Sequence, residues 1–363
     1  MSGLDDPWMA RAVEIAARGT RAVRPNPKVG CVLVRDGRVV GEGFHAVCGG
    51  PHAEVEALRQ AGASARGATA YVTLEPCNHH GRTGPCSDAL IAAGVARVVA
   101  AVRDPNPSAQ GGLARLAAAG VEVLCGLGAD AARAVAEVFL TNVVHGRPLV
   151  QLKLAASADG RVAAADGTSR WVTGPAARAE VARMRGEADA VLVGSGTALA
   201  DNPRLDLRHA PDAGPLPLRV VFDRRGRLAD VDPAALHLGD AAHQATHIVT
   251  ARADGWLRWI DRGAQVSVQG AQGDWTRAAL AGLLRAGVCH LLCEGGPILA
   301  AGMLRAGVVD RIELFVAPKA LGAGPGAIAD LGVAGIDGAL GWRWCQAQMC
   351  GDDVWLTGRF TKE

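Results

Sequence analysis

Apolar and polar positions follow two rhythms along this chain, one with the period of a helix and one with the period of a strand. From Pro7 to Gly19 the residues Trp8, Met9, Ala12, Ile15 and Ala16 recur at the three-to-four spacing of a helix that buries one face. The run Val29 to Val34, the turn Arg35-Asp36-Gly37-Arg38 and the run Val39 to Gly43 predict a β-hairpin, because Asp-Gly tolerates the left-handed backbone of a tight turn. Further helices are predicted from about His52 to Gly62, from Pro85 through Ala93, over Leu113 to Ala119 and over Ala129 to Leu140. Strands are expected at Ala70 to Leu74, Val95 to Val102 and Val121 to Cys125. The pattern breaks at His145-Gly146-Arg147-Pro148 and restarts with strands at Leu149 to Leu154, Ala190 to Val193, Leu218 to Phe222, His247 to Val249, His290 to Cys293 and Arg311 to Val316. A last pair, Trp342 to Cys350 and Asp353 to Phe360, is expected to run antiparallel, and Ala210 to Pro217 reads as a surface loop. Strands alternating with helices predict α/β sheets layered by helices, in two domains placed at 1–147 and 148–363.

Composition agrees with two folded domains. A chain of 363 residues exceeds one ordinary core, and 49% hydrophobic with 20% charged residues argues against disorder. The 38 basic and 36 acidic residues nearly cancel and form no block of like charge, which speaks against a dedicated nucleic-acid binder. No run of 18 apolar residues offers a membrane span, and Met1 to Arg11 begins with acids and lacks the apolar core of an export signal. The cytoplasm is therefore the expected compartment. Nine cysteines are too few for a disulfide scaffold, and clustered cysteines in a reducing compartment are more often metal ligands or catalytic groups. Cys31, Cys125, Cys289 and Cys293 lie in apolar runs and are expected in the core; Cys48, Cys345 and Cys350 show no pairing logic, and His145, His209, His237, His243 and His247 read as surface or loop residues.

The sharpest chemical signal is His52-Ala53-Glu54, followed by Glu75-Pro76-Cys77 and Cys86. A catalytic zinc takes three protein ligands and keeps one position open for water, whose pKa it lowers to ~7. His52, Cys77 and Cys86 would supply one neutral and two anionic ligands, and Glu54, at a helix start, would handle protons without being a ligand. The pattern matches the H-x-E…P-C-x-x-C signature of zinc nucleobase deaminases, except that eight residues, Asn78 to Pro85, separate the cysteines. A structural zinc closed by His79 or His80, or two unrelated buried thiols, are the competing readings.

With Pro25-Asn26-Pro27-Lys28-Val29-Gly30, the run Glu75 to Cys86 including its insert, and Asp104-Pro105-Asn106-Pro107, the N-terminal half closely resembles the deaminase half of the bifunctional riboflavin-biosynthesis deaminase/reductases. The resemblance implies a cytidine-deaminase-like three-layer domain with zinc on His52, Cys77 and Cys86, Glu54 as proton shuttle, and Asn26 bonded to the pyrimidine; an Asx-turn is the plainer role for Asn26. The implied substrate is a diaminopyrimidinone bearing a phosphoribosylamino group, which loses its C2 amine as ammonia. His79, His80 and Arg82 are candidate contacts for its phosphate.

The second half carries no G-x-G-x-x-G fingerprint, so a Rossmann reading fails. It offers Glu294-Gly295-Gly296-Pro297 after an apolar strand, at the start of the helix Ile298 to Leu304, where free amides suit a phosphate; a tight strand-to-helix turn needs the same residues. The segments Leu152 to Arg161, Ser169-Arg170-Trp171-Val172-Thr173, Gly194-Ser195-Gly196-Thr197 and Asp201-Asn202-Pro203 resemble the reductase half of the same family, which implies a dihydrofolate-reductase-like domain using NADPH to reduce ribosyl to ribityl. By position, Ala155, Trp171, Thr197, Asp201 and the run Gly296, Pro297, Ile298, Leu299, Ala300, Ala301, Gly302 should line the cofactor. Ser169, Arg185, Leu205, Arg208 and Glu294 should face the substrate, with the two guanidiniums suited to its phosphate. Arg224 and Arg225 are candidates for the cofactor 2′-phosphate. Only four of the basic residues are lysines, and Lys153 lies inside an apolar strand, where it either reaches the surface or faces a polar cleft and holds the sugar hydroxyls. The partner is expected to be a small molecule, with neither nucleic acid nor membrane involved and a homo-oligomer left open.

Overall fold

A computed structural model describes residues 6–79, 84–270 and 273–360. It divides into two compact units, one ending at Gly146 and the other beginning at Arg147.

The first unit is built on a five-stranded sheet in the order β2-β1-β3-β4-β5. Its strands are β1 (Gly30–Arg35), β2 (Arg38–Phe44), β3 (Thr69–Val72), β4 (Arg97–Ala100) and β5 (Glu122–Cys125). β1 pairs antiparallel with both β2 and β3, and the remaining pairs are parallel. The hairpin turn forms where expected, with Asp36 and Gly37 both at positive φ (50° and 71°). The helices are α1 (Pro7–Ala16), α2 (Ala53–Ala61), α3 (Cys86–Ala92), α4 (Gly112–Ala118), α5 (Ala129–Val135) and α6 (Glu137–His145). Asp6 caps α1 by accepting from the amides of Trp8 and Met9. α1 packs on the face of β1 that carries Gly30, and α2 packs on the opposite face through Gly41 and Gly43 of β2. A Cβ on Gly43 would stand 2.6 Å from the Ala53 carbonyl, so glycine is what lets the first turn of α2 approach the sheet.

Two expectations change here. The single helix expected over 129–140 breaks at Ala136, whose backbone (φ −90°, ψ 10°) leaves the helical region, and α6 then continues to His145. Cys125 is exposed rather than buried, because β5 is the sheet's edge strand and three of its four residues face solvent.

The second unit carries a nine-stranded sheet in the order β10-β9-β8-β7-β11-β6-β12-β14-β13. The strands are β6 (Leu149–Ser157), β7 (Ala190–Gly194), β8 (Leu218–Asp223), β9 (Thr246–Thr250), β10 (Gln265–Val268), β11 (His290–Cys293), β12 (Arg311–Ala317), β13 (Arg343–Cys350) and β14 (Asp353–Arg359). Seven strands run parallel, and the β13–β14 pair adds antiparallel at the β12 edge. Alternate residues feed two cores. Leu152, Leu291 and Cys293 join Leu280 and Leu283 of α10 (Trp275–Arg285) and Met303 of α11 (Pro297–Arg305). On the other face Val191, Val193 and Leu292 meet Val181 and Met184 of α7 (Pro175–Glu187) and Trp259 of α9 (Leu257–Asp261), while α8 (Ser195–Asp201) follows β7 directly. His247, expected at the surface, is buried in β9 with Nε2 2.7 Å from the Ser267 hydroxyl. Arg147 and Asp310 form a buried two-bond ion pair (2.6 and 2.9 Å) at the entrance to β6. No helix among the described residues is long and apolar enough to cross a membrane.

Candidate functional site

In the first unit three elements bring three ligand atoms together. His52 is the residue immediately before α2; its side chain caps nothing, which leaves the imidazole free to turn toward the sulfurs. Cys77 follows β3 in the loop, and Cys86 is the first residue of α3. The Nδ1 of His52 lies 3.5 Å from the Cys77 sulfur and 3.3 Å from the Cys86 sulfur. Two ligands at ~2.0–2.3 Å from a tetrahedral zinc stand roughly 3.5 Å apart, so these separations fit a shared metal ion. Among the described residues this is the group of histidine, cysteine and acidic side chains close enough to hold one. The electrostatics agree. A hydrogen bond from the Cys86 thiol holds the Cys77 sulfur well below the usual thiol value, helped by His52 and the Cys86 amide and opposed by burial. Cys86, the donor in that bond and buried, is driven the other way. A divalent cation resolves the conflict by taking both sulfurs as thiolates.

Glu54 sits in the first turn of α2 and is 4% exposed. Burial, then the Cys77 charge, pushes its carboxyl up to about 7. A group near 7 can accept and return a proton at neutral pH. The ligands and Glu54 line a cavity of about 380 Å³ together with Asn26, His45, Cys48 and Asp104. Another cavity, of about 400 Å³, is walled by Glu42, Phe44 and Glu56 and does not include the cysteines.

Asn26 projects into the site and is held by His45, a residue that no spacing in the sequence marks. The His45 Nδ1 stands 2.9 Å from the Pro51 carbonyl, which only accepts, so Nδ1 carries the proton. Nε2 then accepts from the Asn26 amide at 3.1 Å. Burial lowers the His45 pKa and so favours this neutral form. Glu75, read in the sequence only as part of the motif, is a buried bracket: its carboxylate accepts from the amides of Asp104 (3.2 Å), Gly111 and Leu113 (both 3.1 Å). It fixes the loop carrying Asp104 and Asn106 and the start of α4. His79 is exposed at the cavity, whereas His80 and Arg82 lie outside the described residues.

In the second unit the expected residues divide. Lys153 of β6 and Glu294, directly after β11, are neighbours across the parallel pair, since Leu152 registers with Cys293. Arg185 of α7 reaches the same place and grips Glu294 with two bonds (2.5 and 2.9 Å), giving its third donor to the Asp206 carbonyl at 2.9 Å. The fork expected to hold a phosphate is therefore already occupied by a carboxylate. Burial lowers the Lys153 pKa while Glu294 opposes the shift, and among the described residues no hydrogen bond or ion pair engages its ammonium. Lys153 is thus half-buried beside the Arg185–Glu294 pair.

Thr197 of α8 accepts from the Gly296 amide at 3.1 Å and ties the glycine turn to α8. Along 296–302, Ile298 is 81% exposed, whereas Ala300 and Ala301 turn into the core and can offer only backbone. Leu205 is likewise buried, at 3% exposure, with a left-handed backbone (φ 57°) that a branched side chain adopts at a cost of order 1 kcal/mol. Arg208 shares Asp206 through one bond of 2.8 Å. Ser169 and Trp171 lie on an outer segment; Trp171 is 60% exposed, with the Arg178 guanidinium over its ring. Asp201, exposed at the end of α8, receives a bond from Arg170 on its carbonyl, and Ala155 lies partly buried on β6 beside Phe315 of β12.

Comparison with known proteins matches both units to known families. Residues 3–102 match the family model described as the cytidine and deoxycytidylate deaminase zinc-binding region, and residues 148–356 match that of the RibD C-terminal domain. The chain is 41% identical over 368 residues to riboflavin biosynthesis protein RibD of Escherichia coli, covering 97% of this chain and 98% of that one. It is 42% identical over 356 residues to the RibD of Mycobacterium tuberculosis (97% and 96% covered). Among solved structures it resembles Acinetobacter baumannii RibD (TM-score 0.85, 37% identity, 98% of each chain covered). It equally resembles the diaminohydroxyphosphoribosylaminopyrimidine deaminase/5-amino-6-(5-phosphoribosylamino)uracil reductase of Thermotoga maritima (TM-score 0.85, 32% identity, 98% of each covered). By its two domains, its motifs and its full-length identity, this chain belongs to the RibD family of bifunctional riboflavin-biosynthesis deaminase/reductases.

Proposed function

We propose that residues 1–147 hydrolyse the C2 amine of 2,5-diamino-6-(5-phosphoribosylamino)pyrimidin-4(3H)-one to a carbonyl, and that residues 148–363 then reduce the ribosyl group to ribityl at the expense of NADPH. The observation that carries the first half is the meeting of His52, Cys77 and Cys86 beside a buried Glu54 in one cavity. Zinc on those three ligands would supply the Lewis acidity that makes water a nucleophile near neutral pH. Glu54 takes the proton from the attacking water and returns it to the departing nitrogen, which leaves as ammonia; its pKa near 7 suits both roles. Asn26 has its amide nitrogen committed to His45, so its oxygen is the group left to accept from the pyrimidine. Glu75 keeps the Asp104 wall of the cavity in place.

In the second half a nicotinamide cofactor would supply hydride to C1′ of the opened sugar. Lys153, with no hydrogen-bond partner among the described residues, holds the sugar hydroxyls, and Glu294, fixed by Arg185, lies beside it. Arg208 keeps donors free for the phosphate.

The test supplies purified protein with the diaminopyrimidinone phosphate, with and without NADPH, and follows ammonia and absorbance at the cofactor band. Ammonia should appear without NADPH, and cofactor oxidation should require the deaminated product. Glu54→Gln should abolish ammonia release with zinc still bound, and Lys153→Ala should stop cofactor oxidation while ammonia release continues. Normal ammonia release by Glu54→Gln would refute the deaminase mechanism, and normal cofactor oxidation by Lys153→Ala would refute the role given to that lysine.

A further inference from the structure

Residues 158–174, between β6 and α7, form no helix or strand, so their backbone polar groups depend on turns, side chains or solvent. Around Trp171 those partners come from far along the chain. The Lys319 ammonium donates to the Trp171 carbonyl at 2.8 Å and to the Val172 carbonyl at 2.9 Å, from 148 and 147 residues away. On the other side the Arg170 guanidinium donates to the Asp201 carbonyl at 2.6 Å.

These anchors place the segment. Lys319 lies two residues past the end of β12, and Asp201 ends α8, which follows β7. Between β7 and β12 in the sheet lie β11 and β6, and all four strands are parallel. Both anchors therefore leave the C-terminal edge of these strands, where open α/β sheets bind their ligands. β6 carries Lys153 and β11 leads into Glu294, so residues 169–173 are strung along the edge that serves those two side chains. Lys319 is a fixed post because its own turn is seated. Its amide donates to the Ala317 carbonyl at 2.8 Å, and its carbonyl accepts from the Ala158 amide at 2.7 Å. The Asp159 carboxylate accepts from the amides of Leu321 (3.1 Å) and Gly322 (2.7 Å), which bolts the turn after β12 to the loop after β6.

We propose that Lys319 is a positioning residue of the reductase: it touches neither ligand, and holds the backbone of 169–173 in the shape that presents Ser169 to the substrate and Trp171 to the nicotinamide cofactor. The inference rests on the reading of the second unit given above. A segment released from its post adopts the competent shape only part of the time, and apparent affinity falls by that fraction. Two charge-assisted bonds at an exposed site should bias the shape by about tenfold.

The test uses the full-length zinc-loaded protein as wild type, Lys319→Met and Lys319→Arg. Cofactor oxidation with the deaminated substrate gives KM and kcat, calorimetry gives the NADP⁺ Kd, hydrogen exchange reads the amides of 169–174, and ammonia release by the first unit is the control. Lys319→Met should raise KM and the NADP⁺ Kd about tenfold with kcat within about threefold, and speed exchange over 169–174, while ammonia release stays as in wild type. Lys319→Arg, which can still donate to both carbonyls, should recover most of the loss. Unchanged KM and Kd in Lys319→Met would overturn the proposal even if exchange accelerates, because the post would then serve the fold alone. So would a fall confined to kcat, a loss that arginine does not rescue, or a parallel fall in ammonia release, which marks general damage. If wild type itself oxidises no NADPH with the deaminated substrate, the reductase reading fails and the Lys319 assignment fails with it.

Discussion

Replacing Glu75 by glutamine swaps one carboxylate oxygen for an NH₂ group and tests how the deaminase cavity is held. The carboxylate is 4% exposed and accepts from three backbone amides, two on Oε1 and one on Oε2. In the substituted side chain, an NH₂ facing Asp104 would meet another donor, so one bond is lost and one buried N–H is orphaned. The two bonds on the remaining oxygen fall from charge-assisted to neutral. A bond to a charged group contributes ~1.5–3 kcal/mol and a neutral one ~1, so the change should cost roughly 3 kcal/mol after allowing for easier burial of the neutral amide. For a unit of this size that is a fall of roughly 10 °C in the melting of the first unit. Calorimetry measures the fall, and hydrogen exchange locates it, with protection lost over residues 104–113 while β1 keeps its own. Unchanged exchange over 104–113, or a melting shift below about 2 °C, would show that Glu75 is not the bracket.

Other outcomes follow from single contacts. Gly112→Ala would put a Cβ 1.7 Å from the Pro76 carbonyl, beside Cys77. A backbone clash of this kind should cost more than about 2 kcal/mol and loosen zinc, read as faster loss of metal to a chelator; retention equal to wild type would contradict the packing. Burial alone would raise the Glu294 pKa, but Arg185, and behind it Lys153, hold it below the ordinary glutamate value. A depressed pKa contributes stability that is present above the unfolded value of ~4.3 and is lost as pH falls through the folded value. Urea unfolding of the second unit should therefore weaken below about pH 4.3, and Glu294→Gln should flatten that acid limb; an identical limb in the variant would dissociate the pair from acid stability.

What the sequence discloses and what it hides have physical causes. The hairpin at Asp36-Gly37, most of the parallel strands and the closing antiparallel pair are legible because strand periodicity and turn chemistry are local. The candidate metal ligands stand out because metal chemistry restricts residue type, and the fold brings them together. α7 left little trace, since its buried side is made of Ala177, Val181, Ala182 and Met184 among arginines, a stripe with weak contrast. β10 escaped because an edge strand reading Gln-Val-Ser-Val buries nothing completely. His45 and the Glu75 bracket depend on contacts 19 to 38 residues apart, which no spacing rule encodes. The same holds for Arg185: sequence marks it as a guanidinium suited to phosphate, but only folding brings Glu294, 109 residues away, to occupy its fork.

Zinc K-edge X-ray absorption on the purified protein reads the proposed coordination most directly. It should return two sulfurs at ~2.3 Å and two lighter atoms at ~2.0 Å, with scattering from a single imidazole, the set given by His52, Cys77 and Cys86 with one position left to solvent. A third sulfur, or a second imidazole filling the fourth position, would mean a closed structural metal and would contradict the catalytic account of the first unit.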